Sequence, residues 1–458
     1  MALINSISGI RGTIGGKTED NLSPLNVVKF SSAYAEFIKN SGELVVIGRD
    51  ARKSGKIISD LVIATLLSAG LNVLDIGLAT TPTVEIAVIK NKAAGGIIVS
   101  ASHNPKNWNA LKLLNNKGEF LSSADGLSIS KLFNKNDIIF TEIDNLGSLK
   151  IDDTWTDEHI NLILGLPIVD QEAIKKANLR VVVDGINSVG GIAVPKLLEA
   201  LGVVEIDKLN CEPTGEFNHD AEPLAKNLTE ICAIVRDKKA DIGFAVDPDV
   251  DRLAVIDEKG ELFSEEYTLA VASDYILQNK KGNTVSNLSS SQVLRDVTAD
   301  AGGQYFASAV GEINVVNKMK EVDAVIGGEG NGGVIYPDLH YGRDALVGIA
   351  LILTYLAKSG KTYSELLKSY PKYYITKNKI ELSYIADINE ILKIIKNRYN
   401  DKKIITIDGI KIDFGKEWIH IRKSNTEPII RIYTESASKE RAEYLSREVI
   451  NEIKKYII

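Results

Sequence analysis

The sequence predicts an α/β fold, in which three related α/β domains precede a smaller C-terminal α+β domain. An apolar, β-branched strand followed by a turn and a helix occurs three times, and each repeat ends in a polar or glycine-rich loop. The character of the sequence then changes after Tyr370-Pro371. Strands that alternate with helices are typical of α/β domains, where ligands bind beyond the strand ends. If the repeats face a common centre, their terminal loops line one cleft.

The three repeats are recognised by their first and last strands. These pairs of strands are Leu44–Ile47 with Gly96–Val99, Val181–Val183 with Ile242–Val246, and Thr284–Val285 with Ala324–Ile326. The loops that follow the last strands read SASHNP (100–105), DPDVDR (247–252) and GGEGNGG (327–333). Any doubly wound protein contains such units and short apolar runs are ambiguous, but we expect true repetition.

The predicted domains are residues 1–150, 151–256, 257–370 and 371–458. The longest apolar stretch, Ala345–Ala357, is shorter than a membrane span and predicts a buried helix. The C-terminal domain combines short strands with two helical segments. The last helix is expected to place these residues on one face: Ala442, Leu445, Val449, Ile453 and Tyr456.

The composition is that of a soluble protein with several domains, since 44% of its 458 residues are hydrophobic and 25% are charged. A net charge of −7 gives no general attraction to nucleic acid or to anionic membranes, so we expect neither as a partner. Cys211 and Cys232 are the only cysteines, and the start MALINSISGIRG does not resemble a signal peptide. Both features predict that the protein is located in a reducing cytoplasm. The oligomeric state, monomer or homodimer, stays open.

The loops that follow the last strand of the first repeat and of the second repeat suggest a phosphorylated serine and a divalent metal. SASHNP places Ser102 beside His103, and DPDVDR places aspartates at 247, 249 and 251. In an extended segment alternate side chains share one face, so the three carboxylates could converge on one hard cation, Mg²⁺ or Ca²⁺. Such runs also occur in solvated turns and calcium loops. An EF-hand, with Glu258 at its twelfth position, is disfavoured because Arg252 replaces the required glycine and a strand-like LAVI follows.

The C-terminal segment RKSNTEPIIR suits a phosphate. Two guanidinium groups and several short donors surround a turn, namely Arg422, Ser424, Asn425, Thr426 and Arg431. Arginine binds phosphate bidentately, while hydroxyls and amides can satisfy the remaining oxygens. The alternative is a hydrogen-bonded turn beside a solvated strand.

Five motifs in this order resemble the α-D-phosphohexomutase superfamily, which includes phosphoglucomutases, phosphomannomutases and phosphoglucosamine mutases. They are GIRG (9–12), SASHNP (100–105), DPDVDR (247–252), GEGNGG (328–333) and RKSNTEP (422–428). The resemblance covers essentially the whole chain. It implies four domains around a central cleft, with mixed sheets in the three α/β domains.

The resemblance also implies a phosphoryl-transfer chemistry. Ser102 would be phosphorylated, and Asp247, Asp249 and Asp251 would hold one Mg²⁺ per chain together with a phosphoserine oxygen. The phosphoserine would convert a sugar monophosphate into a 1,6-bisphosphate, which would turn around and return its other phosphate. A hexose 1,6-bisphosphate would serve as activator. A metal shared with the phosphoserine neutralises its nearly two negative charges during transfer.

The same resemblance assigns roles to residues around this centre. Lys112 matches a lysine proposed to transfer protons, and surrounding cations could lower its pKa for acid–base work. The alternative for Lys112 is a surface lysine on a strand. Arg11 and Arg252 would face the cleft and the phosphoserine, and His103 would shape the loop or contact phosphate. The Arg422 loop would hold the phosphate that is not reacting.

Sugar selection is expected at Glu329 and Asn331, because a carboxylate and an amide can grip a sugar that binds in two orientations. The alternative is a glycine-rich turn without ligand. Gly333 replaces a histidine that many relatives carry, and His340 could return an imidazole to the cleft or be a satisfied surface histidine. Ala110, Pro248 and Val250 stand where many relatives have glycines.

The departures at Gly333, Pro248 and Val250 resemble a prokaryotic phosphoglucosamine mutase-like subgroup, in which specificity can be mixed. We therefore expect conversion of glucosamine 6-phosphate to glucosamine 1-phosphate, a step toward UDP-N-acetylglucosamine. Phosphoglucomutase or phosphomannomutase activity is the main alternative. A catalytically silent sugar-phosphate binding protein and an Asp-dependent phosphatase stay open, although neither needs a phosphorylatable Ser102.

Overall fold

A computed structural model of the protein describes residues 3–6, 9–16, 21–135, 140–381, 388–424 and 429–456. Four sheets follow one another along the chain, with seven, four, four and five strands. The first three sheets mix parallel and antiparallel neighbours, whereas the pairs of the fourth are antiparallel. The predicted fold class is therefore confirmed.

The first sheet has the strand order β1-β2-β6-β5-β3-β4-β7, with the following elements. They are β1 (Leu3–Ser6), β2 (Gly9–Thr13), α1 (Pro24–Ile38), β3 (Leu44–Arg49), α2 (Gly55–Ser68), β4 (Asn72–Leu78), α3 (Thr81–Lys90), β5 (Gly95–Val99), β6 (Trp108–Leu114), α4 (Ser123–Lys135), a 3₁₀ turn (Ile143–Asn145) and β7 (Leu149–Ile151). Helix α3 begins where the Thr80 side chain accepts a hydrogen bond from the amide of Thr83, at 3.1 Å.

The second and third sheets each have four strands. The elements up to the end of the second sheet are α5 (Trp155–Leu164), α6 (Gln171–Ala177), β8 (Arg180–Asp184), α7 (Gly190–Ala200), β9 (Glu205–Leu209), α8 (Thr229–Lys238), β10 (Ile242–Val246) and β11 (Leu253–Ile256). Those that follow are α9 (Glu266–Asn279), β12 (Asn283–Asn287), α10 (Val293–Asp300), β13 (Tyr305–Ser308), α11 (Glu312–Glu321), β14 (Ala324–Glu329), β15 (Gly333–Ile335), α12 (Ala345–Ser359) and α13 (Tyr363–Lys368).

The C-terminal sheet has the order β16-β20-β19-β18-β17 and two helices. Its elements are β16 (Tyr374–Glu381), α14 (Ile388–Arg398), β17 (Lys403–Ile405), β18 (Ile410–Asp413), β19 (Trp418–Lys423), β20 (Ile429–Ser436) and α15 (Lys439–Lys454). Helix α15 buries the predicted face at Ala442, Leu445, Val449 and Ile453. The prediction is wrong for Tyr456, which lies past the helix end and is 42% exposed.

The first three sheets share one arrangement of four strands, which confirms the threefold repeat. Numbered within each repeat, the order is 4-3-1-2, seen as β6-β5-β3-β4, β11-β10-β8-β9 and β15-β14-β12-β13. Strands 3, 1 and 2 are parallel, and strand 4 runs antiparallel to strand 3. The loop between strands 3 and 4 carries SASHNP, DPDVDR or GEGNGG, so the three motifs occupy equivalent positions.

Buried apolar side chains on the strands and helices form the cores that support these loops. Val45 and Ile47 pack into one core of the first sheet, while Val46 packs into a second core on the opposite face. A single large core joins the second and third sheets through α9 and α12. Helix α12 is buried from Ala345 to Leu356, which confirms the buried helix predicted for this stretch. Within the described ranges, no helix combines the length and the apolar character that a membrane span requires.

Candidate active site

A cleft of about 650 Å³ lies between the loops of the four sheets. Its wall contains predicted site residues from each of the four units: Arg11, His103, Lys112, Arg252, Glu329, Asn331, Arg422 and Arg431. Glutamates at 222, 266 and 312 and the cations Arg343 and Lys377 complete the charged part of the wall. The cleft is therefore suited to an anionic, polar ligand held by several arginines.

Ser102 lies in the loop between β5 and β6, against the DPDVDR loop. It is 2% exposed, and its Oγ donates a hydrogen bond to Oδ2 of Asp247 at 2.5 Å. Its backbone adopts the left-handed region, with φ 48°, and its amide donates to Oγ of Ser100 at 2.9 Å. Such backbone strain in a non-glycine residue is uncommon and clusters at functional sites. The serine and the aspartate loop that the sequence linked are thus in direct contact.

The buried Arg52 holds the serine loop, and the sequence analysis missed it. Its guanidinium donates to the carbonyl oxygens of Asn104 at 2.7 Å and Pro105 at 2.8 Å. An ion pair with Asp50 at 3.1 Å balances its charge. The only signal in the sequence was its place in the GRDARKSG turn of the first repeat. Because these bonds go to backbone atoms, Arg52 fixes the course of the loop that presents Ser102.

Asp247, Asp249 and Asp251 converge as predicted, but through a different local structure. All three are fully buried, and ligand atoms from each lie within 4.8 Å of one another. The extended conformation predicted for this segment is wrong, because the loop turns and Val250 adopts φ 62°. The turn is fixed by Oδ1 of Asp247, which accepts the amides of Asp251 and Arg252, both at 3.1 Å.

The donor set of this triad fits a hard divalent cation. Oδ1 of Asp249 and Oδ1 of Asp251 are buried without a hydrogen-bond partner. Burial and repulsion by the carboxylates of Asp251 and Asp249 hold the pKa of Asp247 well above its usual range. Oxygen ligands of this kind are those preferred by Mg²⁺. The residues present therefore suit the metal that the sequence analysis expected.

Lys112 lies on β6 and is 2% exposed, so the surface-lysine alternative is wrong. Its Nζ pairs with Oδ2 of Asp249 and lies 3.6 Å from Oδ2 of Asp251. Burial alone would lower the pKa of Lys112, but Asp249 and Asp251 outweigh it and raise that pKa. The expectation of a lowered pKa for Lys112 is therefore wrong, because the neighbouring side chains of the chain itself raise it. Thr81, at the start of α3, donates to the same Asp249 oxygen at 2.5 Å.

Arg11, Arg252 and His103 line the cleft beside Ser102 and the aspartate triad. Arg11 on β2 donates to Oδ1 of Asn104 at 2.8 Å, and burial together with Arg252 lowers its pKa to about 10. Arg252 donates to Glu222 at 3.2 Å. Burial and the two arginines hold the pKa of His103 well below its usual range. His103 is therefore neutral at neutral pH, with Nδ1 3.3 Å from Oγ of Ser102.

Glu329 and Asn331 both line the cleft, at the end of β14 and in the loop after it. Oε1 of Glu329 accepts from the side chain of Asn287 at 2.7 Å and from the amide of Gly311 at 3.2 Å. Asn331 turns back on its own loop, where Oδ1 accepts the amide of Gly333 at 3.2 Å. The loop is therefore held in one shape by Asn287 and Gly311 outside it and by the Asn331 side chain within it.

Arg343 is the largest omission of the sequence analysis. Its guanidinium pairs with Asp251 at 2.6 Å, Glu312 at 2.7 Å and Glu329 at 2.8 Å. A Cβ atom added to Gly333 would lie 2.3 Å from Cδ of Arg343, so this side chain fills the space beside the glycine. The sequence DLHYGRDA contains Arg343, but a role was predicted there only for His340. Arg343 thus links the DPDVDR loop (247–252), named the metal loop, to the GEGNGG loop (328–333), named the sugar loop.

The structure corrects the expectation for His340. It is 4% exposed and is absent from the described cleft wall. Its ring nitrogens lie 3.3 Å from Glu85 and 3.3 Å from Asp344, and despite burial these carboxylates raise its pKa to about 9. It is neither a satisfied surface histidine nor an imidazole in the cleft.

Arg422 and Arg431 face each other across β19 and β20, where they are register partners. Both line the cleft, and burial lowers the pKa of Arg422, whose Nε is buried without a hydrogen-bond partner. Ser424 is buried beside them, and its amide donates to the carbonyl of Ile429 at 2.9 Å. Asn425 and Thr426, also predicted here, lie outside the described residues. Two adjacent guanidiniums in a cleft wall suit a phosphate.

Comparison with family models gives four consecutive matches. Models described as phosphoglucomutase/phosphomannomutase alpha/beta/alpha domains I, II and III match residues 4–139, 157–260 and 264–374. The C-terminal domain of the same family matches residues 376–452. The domain boundaries predicted after residues 150, 256 and 370 stay predictions.

Individual relatives match along nearly their whole length. A protein of Thermococcus kodakarensis named phosphoglucomutase/phosphomannomutase is 37% identical, covering 95% of this chain and 96% of its own. A phosphoglucosamine/phosphogalactosamine mutase of Sulfurisphaera tokodaii is 33% identical, covering 100% and 99%. The crystal structure of a phosphoglucomutase/phosphomannomutase family protein from Burkholderia thailandensis has a TM-score of 0.85 at 25% identity, covering 99% and 97%.

Proposed function

This chain belongs to the phosphoglucomutase/phosphomannomutase family, and from that premise we propose that it interconverts glucosamine 6-phosphate and glucosamine 1-phosphate. The reaction moves a phosphoryl group between O6 and O1 through a phosphorylated Ser102 and a hexose 1,6-bisphosphate. The observation that carries the proposal is the 2.5 Å contact between Oγ of Ser102 and Asp247, inside a buried aspartate triad.

Ser102 is the phosphoryl carrier in this proposal. Its phosphate is transferred to the free hydroxyl of a sugar monophosphate, which gives a bisphosphate and a free serine hydroxyl. Transfer of the other phosphate back to Oγ restores the phosphoserine and releases the isomer. Arg11 and Arg252 supply positive charge beside the transferring group, which favours a reaction that depends chiefly on alignment and charge stabilisation.

Asp247, Asp249 and Asp251 are the residues that would hold Mg²⁺. When bound, the ion supplies Lewis-acid stabilisation of the phosphoryl oxygens. Lys112 positions Asp249 through an ion pair, and its Nζ lies 3.6 Å from Oδ2 of Asp251. Proton transfer by Lys112 remains a prediction.

The arginines of the C-terminal sheet are suited to the phosphate that is not reacting. Arg422 and Arg431 share the cleft with the serine loop but belong to a separate sheet. A bisphosphate held there by one phosphate presents the other to Ser102. Because Arg422 and Arg431 would bind the unreacting phosphate of either isomer, one phosphate site serves two orientations of the sugar.

The choice of glucosamine rests on the relatives. Probable phosphoglucosamine mutases of Methanopyrus kandleri and Pyrococcus horikoshii are 31% and 32% identical. The name of the Thermococcus relative supports phosphoglucomutase or phosphomannomutase activity as the second candidate. We place the enzyme in the cytoplasm, where sugar phosphates are metabolised, and leave monomer or homodimer open.

The test is a Mg²⁺-dependent assay primed with glucose 1,6-bisphosphate. Glucosamine, glucose and mannose 6-phosphates are compared as substrates for the wild type, Ser102→Ala and the matched control Ser128→Ala. Ser128 is exposed on α4, so the control makes the same chemical change away from the cleft.

Preference for glucosamine 6-phosphate, lost in Ser102→Ala and kept in Ser128→Ala, is the expected result. Preference for glucose or mannose 6-phosphate would retain the mutase and overturn the proposed sugar. No turnover of any of the three, with sugar phosphates still bound, would favour a silent binding protein.

A further inference from the structure

A second cluster of potential metal ligands lies outside the described cleft wall. His159 on α5, His340 in the loop after β15 and Asp344 at the start of α12 bring three ligand atoms within 4.8 Å of one another. His159 and Asp344 are fully buried, and His340 is 4% exposed. Unlike the aspartate triad, this group offers two imidazole nitrogens and one carboxylate.

The two imidazoles point their Nε2 atoms at one oxygen. Nε2 of His159 lies 2.9 Å from Oδ2 of Asp344, and Nε2 of His340 lies 3.3 Å from the same atom. Ligand atoms bound at about 2.0–2.1 Å to one tetrahedral ion lie about 3.3 Å apart. The two separations from Oδ2 of Asp344 are therefore close to those between ligands of one tetrahedral ion.

The outer nitrogen of each ring also lies beside a polar group. Nδ1 of His159 lies 3.0 Å from Oγ1 of Thr83, and Nδ1 of His340 lies 3.3 Å from Oε2 of Glu85. Metal-binding histidines almost always have such a hydroxyl, carbonyl or carboxylate partner, which orients the ring and selects the coordinating nitrogen. Here both rings are oriented with Nε2 inward.

Two carboxylates lie against the two imidazoles. Glu85 is fully buried, and neither of its oxygens has a hydrogen-bond partner. Asp344 is fully buried as well. A divalent ion would bind here in place of a ring proton, since metal-binding imidazoles must be deprotonated.

We propose that His159, His340 and Asp344 bind a transition-metal dication, best matched by Zn²⁺, with Glu85 orienting His340 from the second layer. Nitrogen ligands and tetrahedral spacing suit Zn²⁺, whereas the oxygen-only triad suits Mg²⁺. The other oxygen of Asp344 caps α12, accepting the amides of Leu346 at 2.8 Å and Val347 at 3.3 Å. The ion would thus fix the start of α12 against α3 and α5, at the residue that follows Arg343 in the chain.

The experiment uses Co²⁺ as a spectroscopic substitute on the full chain. The purified, metal-stripped protein is titrated with Co²⁺ in excess Mg²⁺, which keeps the oxygen triad filled. One Co²⁺ per chain with the intense visible bands of four-coordinate cobalt is expected. The bands should be lost in His340→Gln and kept in Asp249→Asn, the control at the other site. Glu85→Gln should weaken binding about 10–100-fold, as outer partners of metal ligands do.

A second measurement needs no variant. The X-ray absorption spectrum of the Zn²⁺-loaded wild type should show two imidazole ligands at about 2.0–2.1 Å. Absence of four-coordinate bands, a spectrum with oxygen ligands alone, or bands that survive in His340→Gln would each overturn the zinc site. The cluster would then be a protonated hydrogen-bond network. Unchanged affinity in Glu85→Gln would overturn the role given to Glu85.

Discussion

A Cβ atom added to Gly333 would lie 2.3 Å from Cδ of Arg343 and 2.9 Å from its Cγ. The glycine therefore leaves the room through which Arg343 reaches Asp251, Glu312 and Glu329. At Gly333, where many relatives carry a histidine, the space beside the backbone is filled by the side chain of Arg343, ten residues further along the chain. The metal loop and the sugar loop are joined by this one side chain.

Replacing Arg343 with alanine should destabilise the protein strongly. The change removes the cation that three buried carboxylates share, and breaking a buried ion pair in this way costs about 3–5 kcal/mol. Urea unfolding measures the change. The control is Arg447→Ala, which breaks an exposed pair with Glu443 and should cost at most about 1 kcal/mol. Equal stability of the two variants would contradict the central position given to Arg343.

Gly333→Ala tests the same relationship from the other side. The new methyl group displaces a buried, triply paired side chain, and overpacking of this kind costs about 1–3 kcal/mol. Mutase activity should fall with it, because both Asp251 and Glu329 lose their fixed partner. In the control Gly126→Ala the added Cβ meets nothing within 4 Å on α4. That variant should be as stable as the wild type or slightly more stable, and a similar loss in both would refute the packing argument.

Asp249→Asn should raise the Mg²⁺ concentration needed for half-maximal activity by more than about 100-fold. It removes a direct ligand, and even outer partners of metal ligands contribute about 10–100-fold. A Mg²⁺ titration of the activity measures the effect, with the exposed Asp60→Asn as the matched control. An unchanged Mg²⁺ requirement would place the metal elsewhere.

Arg422→Ala should raise KM for both isomers by about 10–100-fold, since a hydrogen bond to a charged group contributes about 1.5–3 kcal/mol. The ratio of the two KM values should stay constant, because one phosphate site serves both orientations. Steady-state kinetics in the two directions provide the test. A selective effect on one isomer would mean that the C-terminal arginines serve only one orientation.

Glu266 provides a prediction for the pH dependence of stability. Burial raises its pKa to about 8 from the ordinary value of 4.5, although Lys377 lies 3.4 Å away. The folded state therefore binds more protons than the unfolded state between these values, and stability from this group falls as pH rises from 4.5 to 8. Glu266→Gln should remove that part of the fall in Tm, while Glu440→Gln, exposed on α15, should not. Parallel Tm profiles for wild type and Glu266→Gln would contradict this.

Local patterns in the sequence were sufficient for the fold and for the motifs. Strand alternation with helices predicted the three units, and a serine or a run of aspartates directly after a strand predicted Ser102 and the triad. These features depend on neighbours in the chain. The side chains that organise them depend on distant partners, as Arg343 does on Asp251 and Arg52 on Asn104. The raised pKa of Lys112 likewise follows from carboxylates of another sheet, which no local pattern contains.

The most direct test of the account is the fate of a labelled phosphate on Ser102. Protein phosphorylated by labelled glucose 1,6-bisphosphate, freed of the excess and mixed with unlabelled glucosamine 6-phosphate should lose the label from Ser102. The label should appear in a sugar bisphosphate and then in the sugar monophosphate pool. Label that stays on the protein, or that appears only as inorganic phosphate, would contradict the mutase mechanism.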